Sequence, residues 1–301
     1  MPGLHTTLQA VVNFAVPQAE IEDLAKYLAR FDADDPVPSR KSEIAIFDLR
    51  EEFDAGMGGK SAGQQLDETG YAVVKHASAF GTSEGLSTVE ATDSYKDECC
   101  SALKEMLGAS KVLCWNVVVR DAGSGQPDTK GVMQMKLEKG FAPTTDLKAV
   151  ASFAHVDQDE EYARTIIKRA AGDDVFEKYS RAEIVNIWRP LHGPVTNNPL
   201  AVSDFFSMDL DKDVMRMAGS YGTAYSVSYS PRQRWAYLQH MQPDEAYLLR
   251  CYDSNMGKNG EALFTGHVAC EMLNEPDPVG LEGKPKVPRR SVEARMFVLY
   301  E

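Results

Sequence analysis

The chain has 301 residues, 43% of them hydrophobic and 26% charged, which are ordinary values for a folded globular protein and exclude disorder of the whole chain. A formal net charge of −13 repels duplex nucleic acid and anionic membranes, so neither is expected as a partner, and any anionic ligand must be met by a local cluster of Arg or Lys. There is no run of eighteen apolar residues and no basic-then-apolar leader, and the five cysteines lack paired spacing, so a cytoplasmic protein without membrane spans or disulfides is expected.

In chain order, apolar residues at helical spacing predict a helix over Ala19–Phe31, followed by strands at Ile44–Leu49 and Tyr71–His76. A second helix is expected at Val89–Leu107, with Tyr95, Cys99, Leu103 and Leu107 on one face and Gly108 as the stop. A strand at Val112–Arg120 leads into a Gly/Pro/Asp-rich loop, Asp121–Lys130, and then a strand at Val150–Val156. The third helix, Asp159–Ala171, opens on acidic residues that suit the positive end of its dipole and ends at Gly172. The remaining strands are Ile184–Trp188, Leu200–Val202, Trp235–His240, Tyr247–Tyr252, Leu263–Cys270 and Val292–Tyr300, with a Pro-rich connection over Asn274–Pro288. Many short strands without regular βαβ alternation predict a mainly β fold with flanking helices (α+β), a double-stranded β-helix of jelly-roll, cupin-like type. One domain over 1–301 is expected, with 1–110 as a helix/strand extension packed on a jelly-roll core of 111–301.

His155 and Asp157 are two residues apart on a predicted strand, so their side chains share a face while Val156 turns away. Such a pair supplies two thirds of a 2-His-1-carboxylate triad, which leaves three positions of an iron ion open. The third ligand belongs on a later strand, and His267 is the best placed, with His240 as runner-up; a hydrogen-bonded core or rim histidine is the alternative for either. On the last strand, Arg289, Ser291, Glu293 and Arg295 alternate with Arg290, Val292 and Ala294. An Arg with a hydroxyl two residues on can grip a carboxylate such as the distal one of 2-oxoglutarate, the alternative being a solvated basic edge strand. The order His-x-Asp, distal His, Arg-x-Ser suits Fe(II) and 2-oxoglutarate as cofactors with O2 as cosubstrate and a small-molecule substrate. Asn186 and Trp188 share a strand face and, with Arg189, could bind cosubstrate or substrate; core packing and a strand-ending corner are the alternatives. Trp235 and Tyr237, on one face of a strand, could wall the pocket, but core packing is the favoured reading for both. A catalytically degenerate jelly-roll binding protein, or a cupin-type metal isomerase or hydrolase, are the competing classes, and nothing in the sequence bears on oligomeric state.

At these residues the chain resembles the fungal hydroxylase/desaturase family of Fe(II)/2-oxoglutarate-dependent oxygenases, which includes the aspergillic-acid hydroxylase and relatives of a cephem 7-methoxylase component. The resemblance rests on IAIFDLR, LDETGYAVVKHAS, SYKDECCSALKEMLGA, NVVVRDA, AHVDQ, VNIWRPLHGPVTNNPLAVSD, DEAYLLRCYDS, TGHVACEM and VPRRSVEARMFVLY, in order from about residue 44 to the end. It implies hydroxylation, desaturation or cyclisation of a small, often amino-acid-derived secondary metabolite. By position it implies His155, Asp157 and His267 as metal ligands, Arg289 with Ser291 as the cosubstrate clamp, and Arg295 in support. Arg290 and Cys270 depart from the family's usual acidic and apolar residues, and the added charge at Arg290 would bear on substrate choice.

Overall fold

Alternation of apolar and polar residues builds most of the chain. In the first strand, β1 (Thr7–Ala15), Leu8, Ala10, Val12 and Phe14 are buried while Thr7 and Gln9 are exposed. The structure, a computed structural model, describes residues 7–25, 38–80, 86, 88–123, 153–218 and 222–301. The other strands there are β2 (Ser39–Asp48), β3 (Tyr71–Lys75), β4 (Lys111–Asp121), β5 (His155–Val156), β6 (Arg181–Pro190), β7 (Leu200–Ser203) and β8 (Val214–Ala218). They are followed by β9 (Thr223–Val227), β10 (Trp235–Tyr237), β11 (Glu245–Asp253), β12 (His267–Ala269), β13 (Glu271–Met272) and β14 (Arg290–Tyr300).

These strands form two sheets. The larger runs β13-β1-β2-β10-β7-β12-β5-β9-β8 and is antiparallel except where β10 meets β2. It curls until Ala15, at the end of β1, bridges to Ser228 just past β9, and Phe14, Ile46, Trp235, Tyr237 and Val268 fill the curl. The smaller sheet, β3-β11-β6-β14-β4, is antiparallel throughout. One face of it meets the larger sheet through Trp188, Tyr247 and Leu249 packed with Val202, Ala236 and Leu238. Its other face is roofed by helices. Two facing sheets of this kind make a jelly roll, the fold class expected from the strand pattern.

Among the helices are α1 (Arg50–Asp54), α2 (Ala62–Thr69), α3 (Val89–Leu107) and α4 (Glu160–Ala171). α3 starts on Thr88, whose hydroxyl accepts from Ala91 N, and stops at Gly108 with φ 65°. Its buried stripe Thr92, Tyr95, Cys99, Leu103 and Leu66 of α2 cover Val185, Ile187, Val292, Ala294 and Met296 of the small sheet. α2 ends at Gly70, φ 91°, where an added Cβ would sit 2.2 Å from the Phe264 carbonyl oxygen, so only glycine fits. α4 is capped by Asp159, which accepts from Tyr162 N at 2.8 Å.

Several expected boundaries move. Within the helix expected over Ala19–Phe31, a 3-10 turn covers Gln18–Glu20 and α-helix is in place at Leu24–Ala25, while 26–31 lie outside the described residues, as do 124–130 of the first loop and 150–152 of the strand before His155. The strand expected at Trp235–His240 ends at Tyr237, and by His240, with φ 50°, the chain has turned. The strand expected from Leu263 pairs only from His267, because the residues before it cross between sheets: Ala262 N donates to Asp67 O, Thr265 N to Arg250 O and Gly266 N to Ser203 Oγ. Residues before 111 supply β1 and β2 to one sheet and β3 to the other.

Candidate metal centre

β5 and β12 are antiparallel neighbours with His155 directly opposite His267, so their imidazoles project from one face, ring centroids 4.6 Å apart. Asp157 follows two residues after His155. Its Oδ1 lies 3.5 Å from His155 Nε2 and 3.9 Å from His267 Nε2, and one donor atom from each of the three residues falls within 4.8 Å of the others. A first-row metal with bonds of about 2.1 Å sets neighbouring donors about 3 Å apart, within side-chain adjustment of this spacing.

The second nitrogen of each ring identifies the tautomer. His155 Nδ1 is 2.8 Å from Phe153 O, and His267 Nδ1 is 3.5 Å from Thr265 O. A carbonyl only accepts, so Nδ1 carries the hydrogen and Nε2 turns a lone pair towards the cluster, the form that binds a cation. Burial, aided by His155, pushes the His267 imidazole down to about 3, which keeps it neutral at ordinary pH.

Opposite these strands, the small sheet presents Asn186 on β6 and Glu293 and Arg295 on β14, with Asn186 beside Arg295 and Trp188 beside Glu293 in register. Asn186 Nδ2 donates to Asp157 Oδ2 at 2.9 Å and to Glu293 Oε1 at 2.7 Å. Arg295 donates from Nη2 to Asp157 Oδ1 and from Nε to Glu293 Oε1, both at 3.2 Å. Burial alone would raise the Asp157 carboxyl, but the Arg295 guanidinium holds it well below the usual carboxylate range. Burial and the Asp157 charge instead push the Glu293 carboxyl up. Although burial opposes it, the two carboxylates raise the Arg295 guanidinium, which stays charged.

Arg289 and Ser291 lie on the same side of the last strand, 2% and 1% exposed. The Arg289 guanidinium stands 5.0 Å over the Trp188 ring and donates from Nη1 to Asn198 O. Among the described residues, neither Arg289 Nε nor Ser291 Oγ has a hydrogen-bond partner. Burial, with Arg120 nearby, pulls this guanidinium down to about 9. A buried cation with no counter-charge among the described residues, beside an unused hydroxyl, suits an incoming carboxylate. The donor set here and at the imidazoles therefore fits both iron and a 2-oxo diacid.

Four sequence candidates lie elsewhere. Arg189 points to the helix-covered face, where it bonds His76 and stands 5.7 Å over the Tyr95 ring, because it is one residue out of phase with Asn186 and Trp188. Arg290 is similarly out of phase with Arg289 and Ser291 and turns to Asp121, 3.4 Å away. Trp235 is a core residue of the curled large sheet, edge-on to Phe14 at 5.5 Å, with its indole N–H on Gln233. His240 Nε2 donates to Pro276 O, so the runner-up ligand is engaged outside the cluster. Sequence reasoning missed the central part of Glu293, the thiol of Cys251 that meets Asn186 Nδ2 at 3.5 Å, and Arg120, paired with Ser291 in register. A charged residue closing the apolar run VVVR was the available signal for Arg120.

Residues 19–299 match the family model described as Oxidoreductase/YMDC permease-like domain. The chain belongs to that family. It is also similar to the hydroxylase/desaturase asaB of Aspergillus flavus, 38% identical over 140 residues that cover 40% of this chain and 57% of asaB. The match thus spans little more than half of that relative. The hydroxylase/desaturase efuI of Hormonema carpetanum is 28% identical over 78% of this chain and 79% of its own. Among solved structures, the iron and alpha-ketoglutarate-dependent endoperoxidase NvfI superposes with a TM-score of 0.71 over 98% of both chains at 21% identity, so the two share a fold.

Proposed function

We propose that this family member is a non-haem Fe(II)- and 2-oxoglutarate-dependent dioxygenase that hydroxylates, desaturates or cyclises a small secondary metabolite. The observation that carries the reading is the meeting of two Nε2 atoms and one low-pKa carboxylate at His155, Asp157 and His267, with Arg289 Nε and Ser291 Oγ on the facing sheet left without a partner among the described residues. Two relatives carry names of the same chemistry: NvfI as iron and alpha-ketoglutarate-dependent, and phiK as an alpha-ketoglutarate-dependent dioxygenase.

In this reading His155, Asp157 and His267 hold the iron, and Arg289 with Ser291 receives the distal carboxylate of 2-oxoglutarate. With O2, the bound pair supplies an oxidant strong enough for an unactivated C–H bond while 2-oxoglutarate leaves as succinate and CO2. The protein binds and orients. Arg295 offsets the charge of Asp157 and Glu293, so that the carboxylate face stays compatible with a dianionic cosubstrate. Trp188 fixes the plane of the Arg289 guanidinium from below, and at the other end of β14 the Arg295 guanidinium stands 6.0 Å over Trp115, which stacks on Phe297 at 5.8 Å. All five cysteines are free thiols, which supports a reducing, cytosolic setting.

The test is an anaerobic titration of metal-free protein with Fe(II) and 2-oxoglutarate, watching for the weak visible charge-transfer band of a 2-oxo acid chelated to Fe(II). The band should form with wild type and vanish with His155→Ala or Asp157→Ala, and turnover should fall by more than about a thousandfold in either variant. Its absence from folded wild-type protein would overturn the reading.

A further inference from the structure

We propose that Asn186 is a positioning residue for the metal centre: it holds the outer oxygen of Asp157 so that this carboxylate offers the cation only Oδ1. The inference rests on His155, Asp157 and His267 being the iron ligands, and it replaces the substrate-binding role that strand parity suggested for Asn186.

The amide has two N–H bonds and finds two carboxylates, Asp157 Oδ2 at 2.9 Å and Glu293 Oε1 at 2.7 Å. Its orientation follows from chemistry, because a flipped amide would set its own oxygen against both acids. Asn186 is fully buried, so no water can stand in for it. Neither N–H is left for a substrate. Asp157 Oδ1 meanwhile faces both imidazole Nε2 atoms. Arg295 takes the other side of that oxygen, at 3.2 Å.

The consequence is a coordination number. Two imidazoles and one carboxylate oxygen leave three positions, two for the 2-oxo acid and one for O2. A carboxylate free to swing would bind through both oxygens and take one of the three. Glu293 is the anchor: it holds the second N–H of Asn186 and also the Nε of Arg295, so both donors to Asp157 are tethered to one buried acid. Asparagine is the residue this requires. An Asp would add a third negative charge, and a Leu of similar volume would leave Asp157 Oδ2 buried without a donor.

The test uses the full chain, metal-free, titrated with Co(II) and followed by its visible absorbance. Asn186→Leu should raise the Co(II) dissociation constant about 10- to 100-fold. The 2-oxoglutarate concentration that saturates the Fe(II) charge-transfer band should rise with it, and the metal-free protein should melt lower as well, because Asp157 Oδ2 loses its donor. Co(II) affinity within twofold of wild type would overturn the proposal. If that variant does not fold, Glu293→Leu and Glu293→Gln decide the matter. The first should weaken Co(II) and the second restore it, since a Gln oxygen still accepts from both tethered donors, and equal weakening by the two would overturn it. A wild-type protein that binds no metal and gives no band would instead remove the iron reading on which the proposal stands.

Discussion

Two arginines on the small sheet are equally buried and oppositely treated. Arg250 on β11, 1% exposed, donates to Leu66 O at 3.0 Å, Ala262 O at 2.9 Å and Asp67 at 2.8 Å. Its Nε is 2.7 Å from Glu183 Oε1, an ion pair too bent for a good hydrogen bond. Beside it Arg181 grips Asp253 through two bonds, at 3.0 and 2.6 Å, and the Tyr300 hydroxyl donates to Glu183. Arg289, just before β14, has a carbonyl, a ring face and the repulsion of Arg120. Stripping a guanidinium of water costs several kcal/mol unless carboxylates replace the water. At Arg250 the fold supplies them. At Arg289 no described residue does, and such an arrangement persists where the counter-charge arrives as a ligand.

The comparison breaks if either arginine behaves like the other. Arg250→Met should cost about 3–5 kcal/mol of stability, since Glu183 would be left buried beside an apolar chain. Urea unfolding measures this, and 2-oxoglutarate binding by any surviving folded fraction should be unchanged. Arg289→Met should do the reverse. The 2-oxoglutarate requirement should rise about 30- to 1000-fold, equivalent to about 2–4 kcal/mol, while the unliganded protein unfolds at the same or higher urea. A loss of stability without a change in cosubstrate affinity would make Arg289 a second structural arginine. A sharper form adds ligand: saturating 2-oxoglutarate with a non-oxidising metal should raise the melting temperature of wild type but not of the Arg289 variant.

The same contrast shows what could be read from sequence. Strand parity placed His155 with Asp157, Asn186 with Trp188, and Arg289 with Ser291 and Arg295, and the structure keeps each pair on one face. Parity also assigns Arg189 and Arg290 to the opposite faces, so their inclusion as substrate residues went against the rule that found their neighbours. It does not say which interior a strand face lines, and so a pocket wall stayed open for Trp235 beside core packing, which is where the curl of the large sheet puts it. α3 was legible at both ends because Thr88 and Gly108 mark it chemically. β8 and β9 were not, since MRMAGSYGTAYSV carries little apolar alternation, and its pairing is settled by a partner strand. The work of Glu293 was hidden for a similar reason: its three partners come from Asp157 just past β5, from β6 and from β14, and no single segment contains them.

A buried charge without a partner has one further outcome, which is to give up the charge, and Glu275 illustrates it. Its side chain is 3% exposed, 3.9 Å from His240 Nε2, and Oε1 has no hydrogen-bond partner among the described residues. Burial pushes its carboxyl up to about 7, against the opposing pull of the Tyr237 hydroxyl and Lys286. A folded pKa above the unfolded value of 4.5 means that the folded state binds the extra proton between those limits. The stability tied to that proton is therefore fully present below about pH 4.5, declines as the pH rises to about 7 and is flat beyond. Glu275→Gln keeps the shape and removes the titration. Relative to wild type, the variant should gain about 1–3 kcal/mol between pH 4.5 and pH 8, most of it between pH 5 and 7. Urea unfolding at a series of pH values reads the difference directly. If the two stability curves run parallel, Glu275 remains ionised in the folded protein, and a partner like those of Asp253 must be holding its charge.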